Sequence, residues 1–166
     1  MTGAGSAYRR ASLPGPGEHE RWMREALEQA RGAARADEVP VGAVVVNGGQ
    51  VIGAGRDARA ATGDPTAHAE MLAIRAAAAT LGDWRLEGCA LFVTLEPCPM
   101  CAGAILLARL PLVVYGAGNP KFGAVETRLR TFDGPGWNHR VEAVAGVLAD
   151  DCARLLTAYF ALKRQA

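Results

Sequence analysis

The sequence has no long hydrophobic run, few cysteines and almost no net charge. No apolar stretch reaches the roughly 20 residues that a membrane-spanning helix needs, so a soluble protein is expected. With a net charge of +1, the overall field does not attract a polyanion, and nucleic-acid binding would require a local group of cations. The 166 residues suffice for one domain with a sizeable core. These features leave both enzymes and binding modules open.

The four cysteines do not form the pattern of a secreted, disulfide-stabilised protein. Two of them, Cys98 and Cys101, are three positions apart, a spacing typical of metal or redox chemistry. Such chemistry requires reduced thiols, so we expect a cytoplasmic protein.

The first 17 residues are rich in glycine, serine, alanine and proline and contain neither an acidic residue nor an apolar core segment. This composition is not that of a secretory signal. It predicts a disordered extension over residues 1–17, followed by one domain over residues 18–166.

Apolar periodicity and turn residues predict alternating helices and strands. The predicted helices cover residues 18–36, 66–81, 100–107 and 149–163. The predicted strands cover residues 41–46, 51–52, 90–94, 112–115 and 141–147, while residues 116–140 are mostly loop with a weak helical stretch at 126–132. This alternation indicates an α/β sandwich in which helices pack on both faces of one sheet.

The motif that carries chemistry is a histidine two residues before a glutamate, followed some 28 residues later by two cysteines. One imidazole and two thiolates, from His68, Cys98 and Cys101, supply three ligands for Zn²⁺ and leave the fourth tetrahedral position open, as in catalytic zinc sites. Predicted helix starts at His68 and Cys98 would favour thiolates there. Glu70 is then the residue expected to move protons, as in the zinc nucleobase deaminases that carry this signature.

Other interpretations of the same residues exist. A single C-x-x-C pair also occurs in redox proteins and in structural zinc sites. A structural site would need a fourth ligand, and the remaining candidates, Cys89, Cys152 and His139, show no paired metal spacing. The combined spacing therefore favours a catalytic metal.

Three segments around these residues, 37–43, 64–70 and 94–104, closely resemble the bacterial tRNA-specific adenosine deaminases. Shorter segments at 114–117, 138–140 and 146–150 are also similar, so the resemblance covers residues 18–164. It implies a cytidine-deaminase-like fold, a three-layer α/β/α sandwich around a mixed five-stranded sheet. It also implies a homodimer with one zinc ion per subunit.

The activity implied by the resemblance is deamination of adenosine to inosine at the wobble position of a tRNA anticodon, with an arginine-type anticodon stem-loop as the expected partner. An anticodon loop offers unstacked bases, which a deaminase needs in order to reach its target atom. The residues implied to contact substrate are the pocket residues Val39 and Pro40, backbone positions near Ala69 and Pro97, the nucleoside contact Asp57, the backbone-approaching Asn119, Lys121 and Arg140, and the terminal pair Tyr159 and Phe160.

The chain departs from the family pattern at two of these positions. Asp57 stands where the family usually has an asparagine that hydrogen-bonds the nucleoside, so an amide donor is replaced by a group that only accepts when ionised. Asn119 stands where the family more commonly has an acidic residue, which makes approach of a phosphate easier.

Basic residues in the C-terminal third could form the local cationic patch that the net charge does not supply. They are Lys121, Arg128, Arg130, Arg140, Lys163 and Arg164. Basic residues on an outer helix face are also commonly just solvated, and Tyr159 and Phe160 are equally compatible with a core role.

Two further functions remain open from the sequence. One is deamination of a free base or nucleoside, of guanine or cytosine type, which uses the same zinc motif without an RNA-binding patch. The other is a non-catalytic, zinc-stabilised RNA-binding module, in which Glu70 would be dispensable.

Overall fold

The computed structural model describes residues 11–166 of the chain. The predicted disordered extension therefore lies for the most part, residues 1–10, outside the described residues. Within the remainder, Pro16–Glu18 forms a short 3-10 helix that leads directly into the first α-helix.

A five-stranded mixed sheet forms the centre of the described chain, with strand order β2-β1-β3-β4-β5. The strands are β1 (Gly42–Asn47), β2 (Gln50–Arg56), β3 (Ala90–Leu95), β4 (Leu112–Ala117) and β5 (Glu142–Val144). The helices are α1 (His19–Arg35), α2 (Arg59–Thr62), α3 (Ala69–Leu81), α4 (Pro99–Leu107) and α5 (Ala149–Gln165). Strand β1 is antiparallel to β2 and β3, whereas β3, β4 and β5 are parallel. None of the helices in residues 11–166 combines the length and apolarity required to cross a bilayer.

Side chains on the two faces of the sheet belong to two separate cores, because successive strand residues point to opposite faces. One core joins the face carrying Val44, Phe92 and Val114 to α1 and to Cys152 of α5. The other joins the face carrying Val45, Leu91, Val93, Val113 and Tyr115 to α3 and α4. The predicted three-layer α/β/α sandwich with helices on both faces is thus confirmed.

Helix α3 lies unusually close to strand β2 because the strand has no side chains at Gly53 and Gly55. A Cβ at Gly55 would collide with the backbone of Ala69 and Ala73, and one at Gly53 with the backbone of Ala73 and Ala77. This contact fixes the position of α3 and with it the residues at the start of the helix.

Several element boundaries differ from the prediction. Helix α3 begins at Ala69 rather than at residue 66, and His68 is its N-cap with an extended backbone, so the prediction of His68 in the first helical turn is wrong. Strand β5 has three residues, and the weak helical stretch at 126–132 is reduced to a 3-10 helix over Thr131–Asp133. Helix α2 is a single turn, too short to leave a periodic signal in the sequence.

We predict that Gly55→Ala lowers the free energy of unfolding by about 1–3 kcal/mol, because the added methyl group meets the backbone of α3. The matched control is Gly17→Ala, where a Cβ meets no atom within 4 Å. Urea unfolding of both variants measures the difference, and equal stability of the two would contradict the close-contact explanation.

Candidate metal centre

The candidate metal ligands lie at the starts of two helices that face the same point. His68 is the N-cap of α3 and Cys98 is the N-cap of α4, and both have extended backbones. Pro99 occupies the first position of α4, where its missing N–H costs no hydrogen bond. Cys101 follows one turn later, on the same side as Cys98. Both helix dipoles place their positive ends at the site, which favours anionic ligands.

The three donor atoms are spaced as one tetrahedral zinc ion requires. The Nδ1 atom of His68 is 3.5 Å from the Sγ atom of Cys98 and 3.6 Å from the Sγ atom of Cys101. A sulfur and a nitrogen bound to the same tetrahedral zinc, at their usual bond lengths, are themselves about 3.5 Å apart. All three donor atoms lie within 4.8 Å of one another, and within residues 11–166 this group contains no fourth ligand. The residues therefore fit a zinc ion with one open position.

Hydrogen bonds within this group favour a thiolate at Cys98. Hydrogen bonds from Cys101 and from His68 lower the pKa of the Cys98 thiol to about 4, although burial acts in the opposite direction. The hydrogen bond with Cys98, together with burial, raises the pKa of the Cys101 thiol. The hydrogen bond between His68 and Cys98 raises the pKa of the His68 imidazole. Thiolate is the form of cysteine that binds metals.

Glu70 lies beside this group without being part of it. Its side chain is buried in the first turn of α3, two residues after His68. Burial raises the pKa of the Glu70 carboxyl to about 7. A carboxyl with a pKa in this range can both accept and release a proton near neutral pH, as general acid–base catalysis requires.

A cavity of about 950 Å³ opens onto the group. His68, Glu70 and Cys98 line it, whereas Cys101 is fully buried. Five of the predicted substrate-contacting residues also line the cavity, namely Val39, Asp57, Asn119, Lys121 and Phe160.

The other five predicted residues do not line this cavity. Pro40, Ala69 and Pro97 are buried directly beside lining residues, and the Pro97 carbonyl accepts a hydrogen bond from the Ala124 N–H. Arg140 lies at a different hollow, beside Trp137. The Tyr159 hydroxyl donates to the carbonyl of Asp37 at 3.1 Å, and its ring packs edge-on against Phe160.

Four cations line the cavity, and the sequence analysis identified three of them, Lys121, Lys163 and Arg164. The fourth is Arg59, which lies in the unpredicted helix α2. The structure thus divides the predicted basic patch, because Arg140 is at the other hollow and Arg130 pairs with Asp133.

Glu96 is a buried residue of the site that sequence reasoning did not identify. Its Oε1 atom accepts hydrogen bonds from the N–H groups of Val125, Glu126 and Thr127 at 2.8–3.2 Å. Its Oε2 atom accepts from the Asn119 N–H at 3.0 Å and from the Thr127 hydroxyl. Burial alone would raise the pKa of Glu96, but these bonds outweigh it and lower the pKa to about 2. The carboxylate therefore holds the loop that brings Asn119 to the cavity.

The fold and the candidate three-ligand site are those expected of a deaminase, and comparisons with known proteins show the deaminase family. Residues 17–160 match the family model of the MafB19-like deaminases. The chain is 46% identical over 141 residues to the tRNA-specific adenosine deaminase of Bacillus subtilis, covering 85% of this chain and 88% of that protein. The chain therefore belongs to the deaminase family that includes the bacterial tRNA-specific adenosine deaminases, which confirms the resemblance found in the sequence.

Solved structures show the same relationship. A structure described as a tRNA:A34 deaminase, studied for A-to-I editing at the wobble position of transfer RNA, superposes with a TM-score of 0.79. It shares 45% sequence identity with this chain, and the match covers 82% of this chain and 99% of the other. A guanine deaminase from Nitrosomonas europaea superposes with a TM-score of 0.77 at 27% identity, covering 95% and 92% of the two chains.

We predict that Glu96→Gln destabilises the protein by about 2 kcal/mol, because an amide NH₂ cannot accept the N–H donors that the carboxylate accepts. Substrate KM should rise more than kcat falls, since the loosened loop carries Asn119 and Lys121 to the cavity. Urea unfolding and steady-state kinetics test this, with the exposed Glu87→Gln as control. Unchanged stability and KM would show that the loop does not depend on Glu96.

Proposed function

We propose that this chain is a zinc-dependent enzyme that deaminates adenosine to inosine at the wobble position of a tRNA anticodon. The observation that carries the proposal is the spacing of the His68, Cys98 and Cys101 donor atoms, which fits one zinc ion beside the buried carboxyl of Glu70. The RNA substrate is supported by the names of the relatives at about 45% identity. We place the reaction in the cytoplasm, where thiol ligands stay reduced.

His68, Cys98 and Cys101 would hold the zinc ion, which would lower the pKa of a bound water toward 7 and so supply a nucleophile at neutral pH. Glu70 would accept one proton from the attacking water and pass it to the ring nitrogen, and it would then carry the second proton, from the hydroxyl added to the ring carbon, to the amine, which leaves as ammonia. Its raised pKa, about 7, suits a group that must be proton acceptor and donor in one reaction cycle.

We assign the cavity residues to parts of a nucleotide according to the chemistry of their side chains. Val39 and Phe160 offer apolar walls for the base, and Pro40 supports the chain beside Val39. Backbone groups at Ala69 and Pro97, next to the metal ligands, would orient the base. Lys121 and Asn119 line the same cavity and would face the phosphate backbone of the RNA.

Arg140 and Tyr159 have different proposed roles. Arg140 lies at a hollow away from the cavity and would contact a more distant part of the RNA backbone. Tyr159 supports Phe160 from behind, through their edge-on ring contact.

A second candidate function is deamination of a free base. The superposition with a guanine deaminase favours it, because the same fold accommodates a free purine. Lys121, Arg164 and the partly exposed Arg59 at one cavity favour the RNA substrate, since a neutral free base offers these cations no anion to bind. An arginine-type anticodon stem-loop and free adenine, guanine and cytosine, assayed side by side, distinguish the two functions.

The variant Glu70→Ala separates an enzyme from a zinc-stabilised RNA-binding module. We expect it to retain one zinc per chain and an unchanged fold while turnover falls by at least 10²-fold, the usual contribution of a general acid–base group. Inosine formation on an arginine-type anticodon stem-loop and zinc quantification measure the two effects. The exposed Glu87→Ala serves as the control and should keep full activity.

Full turnover by Glu70→Ala would exclude the catalytic proposal. Equally, His68→Ala should lose zinc and activity together. A chain that keeps stoichiometric zinc without the His68 imidazole would refute the assigned ligand set.

We also propose that the chain forms a homodimer through α4. Helix α4 carries no charged residue, so protein is expected to cover all of its sides. Within one chain, however, one side is partly open at Gly103 and Ala104, and Leu107 is 72% exposed. Their spacing of three to four residues places them on one side of the helix. A second copy of the chain is the occupant implied by the family resemblance.

The dimer is tested by solution mass at micromolar concentration. We expect the wild-type chain to have twice the mass of the monomer and Leu107→Asp to shift toward monomer, because a carboxylate would be desolvated at the interface. The control is Leu162→Asp, which changes a leucine of similar exposure on α5. A monomeric wild-type chain would contradict the proposal.

A further inference from the structure

An ion pair at the cavity joins two residues that the proposed catalytic chemistry does not use. Asp57 follows the end of β2, and its side chain is 5% exposed, whereas that of Arg59 is 41% exposed. The Arg59 Nε atom is 3.1 Å and 3.0 Å from the two carboxylate oxygens, and Nη2 is 2.9 Å from Oδ2. Because a buried carboxylate is unfavourable without a partner, Asp57 holds the Arg59 guanidinium in place.

The backbone of Arg59 is fixed as firmly as its side chain. Its N–H donates to Asp57 Oδ1 at 3.2 Å. The next two N–H groups, of Ala60 and Ala61, donate to the buried carboxylate of Glu38 at 3.2 Å and 2.6 Å. Arginine side chains at a surface normally lose much conformational freedom when they bind a ligand, and this one has largely lost it already.

Part of the guanidinium remains available to a ligand. Its contacts with Asp57 use the Nε–H and one Nη2–H of the five N–H donors that a guanidinium carries. The half-exposed side chain lines the same cavity as His68 and Glu70. Both oxygens of Asp57, by contrast, are already occupied by Arg59.

We propose that Arg59 binds a phosphodiester group of the RNA strand next to the target nucleoside, and that Asp57 is the positioning residue that aims it. The proposal rests on the proposed function and names a substrate contact for it. Phosphate is the ligand favoured by the chemistry, because the planar guanidinium donates two parallel N–H bonds to phosphate oxygens. Lys121 and Arg164 at the same cavity would add to the local positive potential, whereas Lys163 is paired with Asp37.

The experiment measures RNA binding rather than turnover. A fluorescein-labelled arginine-type anticodon stem-loop is titrated with zinc-loaded Glu70→Ala protein over a series of salt concentrations. Adding Arg59→Ala should weaken binding about 10-fold and reduce the slope of log K against log salt by about 0.7, the value for one phosphate contact in single-stranded nucleic acid. The control is Arg24→Ala, which removes a surface arginine that also pairs with a carboxylate and should change neither quantity.

Two further variants identify the role of the pair. Arg59→Lys should keep the salt slope but lose several-fold in affinity, because an ammonium group lacks the fork of donors. Arg59→Ala alone leaves the buried Asp57 carboxylate without its partner and could unfold the chain. The double variant Asp57→Asn, Arg59→Ala removes that buried charge as well, so the salt slope can then be measured on a folded chain. Asp57→Asn and Arg59→Ala should weaken binding less than additively, since they disable one unit.

Three results would overturn the inference. The first concerns a stem-loop that the wild-type chain binds and deaminates. If Arg59→Ala and the double variant both keep the wild-type salt slope on it, the pair has only a structural role. Additive losses would show that Asp57 contacts the RNA independently. A wild-type chain that neither binds nor deaminates the stem-loop would remove the proposed function and this contact together.

Discussion

The structure depends on bringing the starts of two helices to one point, since the candidate metal ligands come from both. Helix α3 lies directly on β2 at Gly53 and Gly55, and α4 follows β3 through a short connection that ends at Pro99. The sheet therefore sets the separation of His68 from Cys98 and Cys101. A site built on rigid elements in this way keeps ligand atoms within the few tenths of an ångström that metal coordination tolerates.

Buried carboxylates organise the segments around the cavity. Glu96 holds the loop of Asn119, Glu38 holds the turn of α2, and Asp57 holds Arg59. Each of the three accepts backbone or guanidinium donors, so none of these anions is left uncompensated at the cavity. Glu70 differs from Glu96, because burial dominates its surroundings and raises its pKa to about 7, whereas hydrogen bonds lower that of Glu96. A buried carboxyl group thus acts either as part of the scaffold or as a proton carrier, depending on the hydrogen-bond donors around it.

Much of this arrangement could be predicted from the sequence, and the reasons differ between elements. The sheet and long helices follow from apolar periodicity, and the grouping of His68, Cys98 and Cys101 follows from a spacing with one chemical explanation. The partners of Glu96 and the Asp57–Arg59 pair could not be predicted, because they depend on the path of loops that have no periodic signal. The different surroundings of Arg140 and Lys121 have the same cause, since proximity in the sequence does not determine which hollow a loop residue faces.

The wall of the cavity formed by α5 is attached differently at its two ends. Cys152 anchors the start of the helix in the core, whereas near its end Tyr159 and Lys163 reach the exposed loop at Asp37. Such surface contacts contribute at most about 1 kcal/mol each, so the end of α5 is held less strongly than its start in the core. The α5 residues that line the cavity near the helix end, Phe160, Lys163 and Arg164, are therefore fastened by surface contacts rather than by core packing.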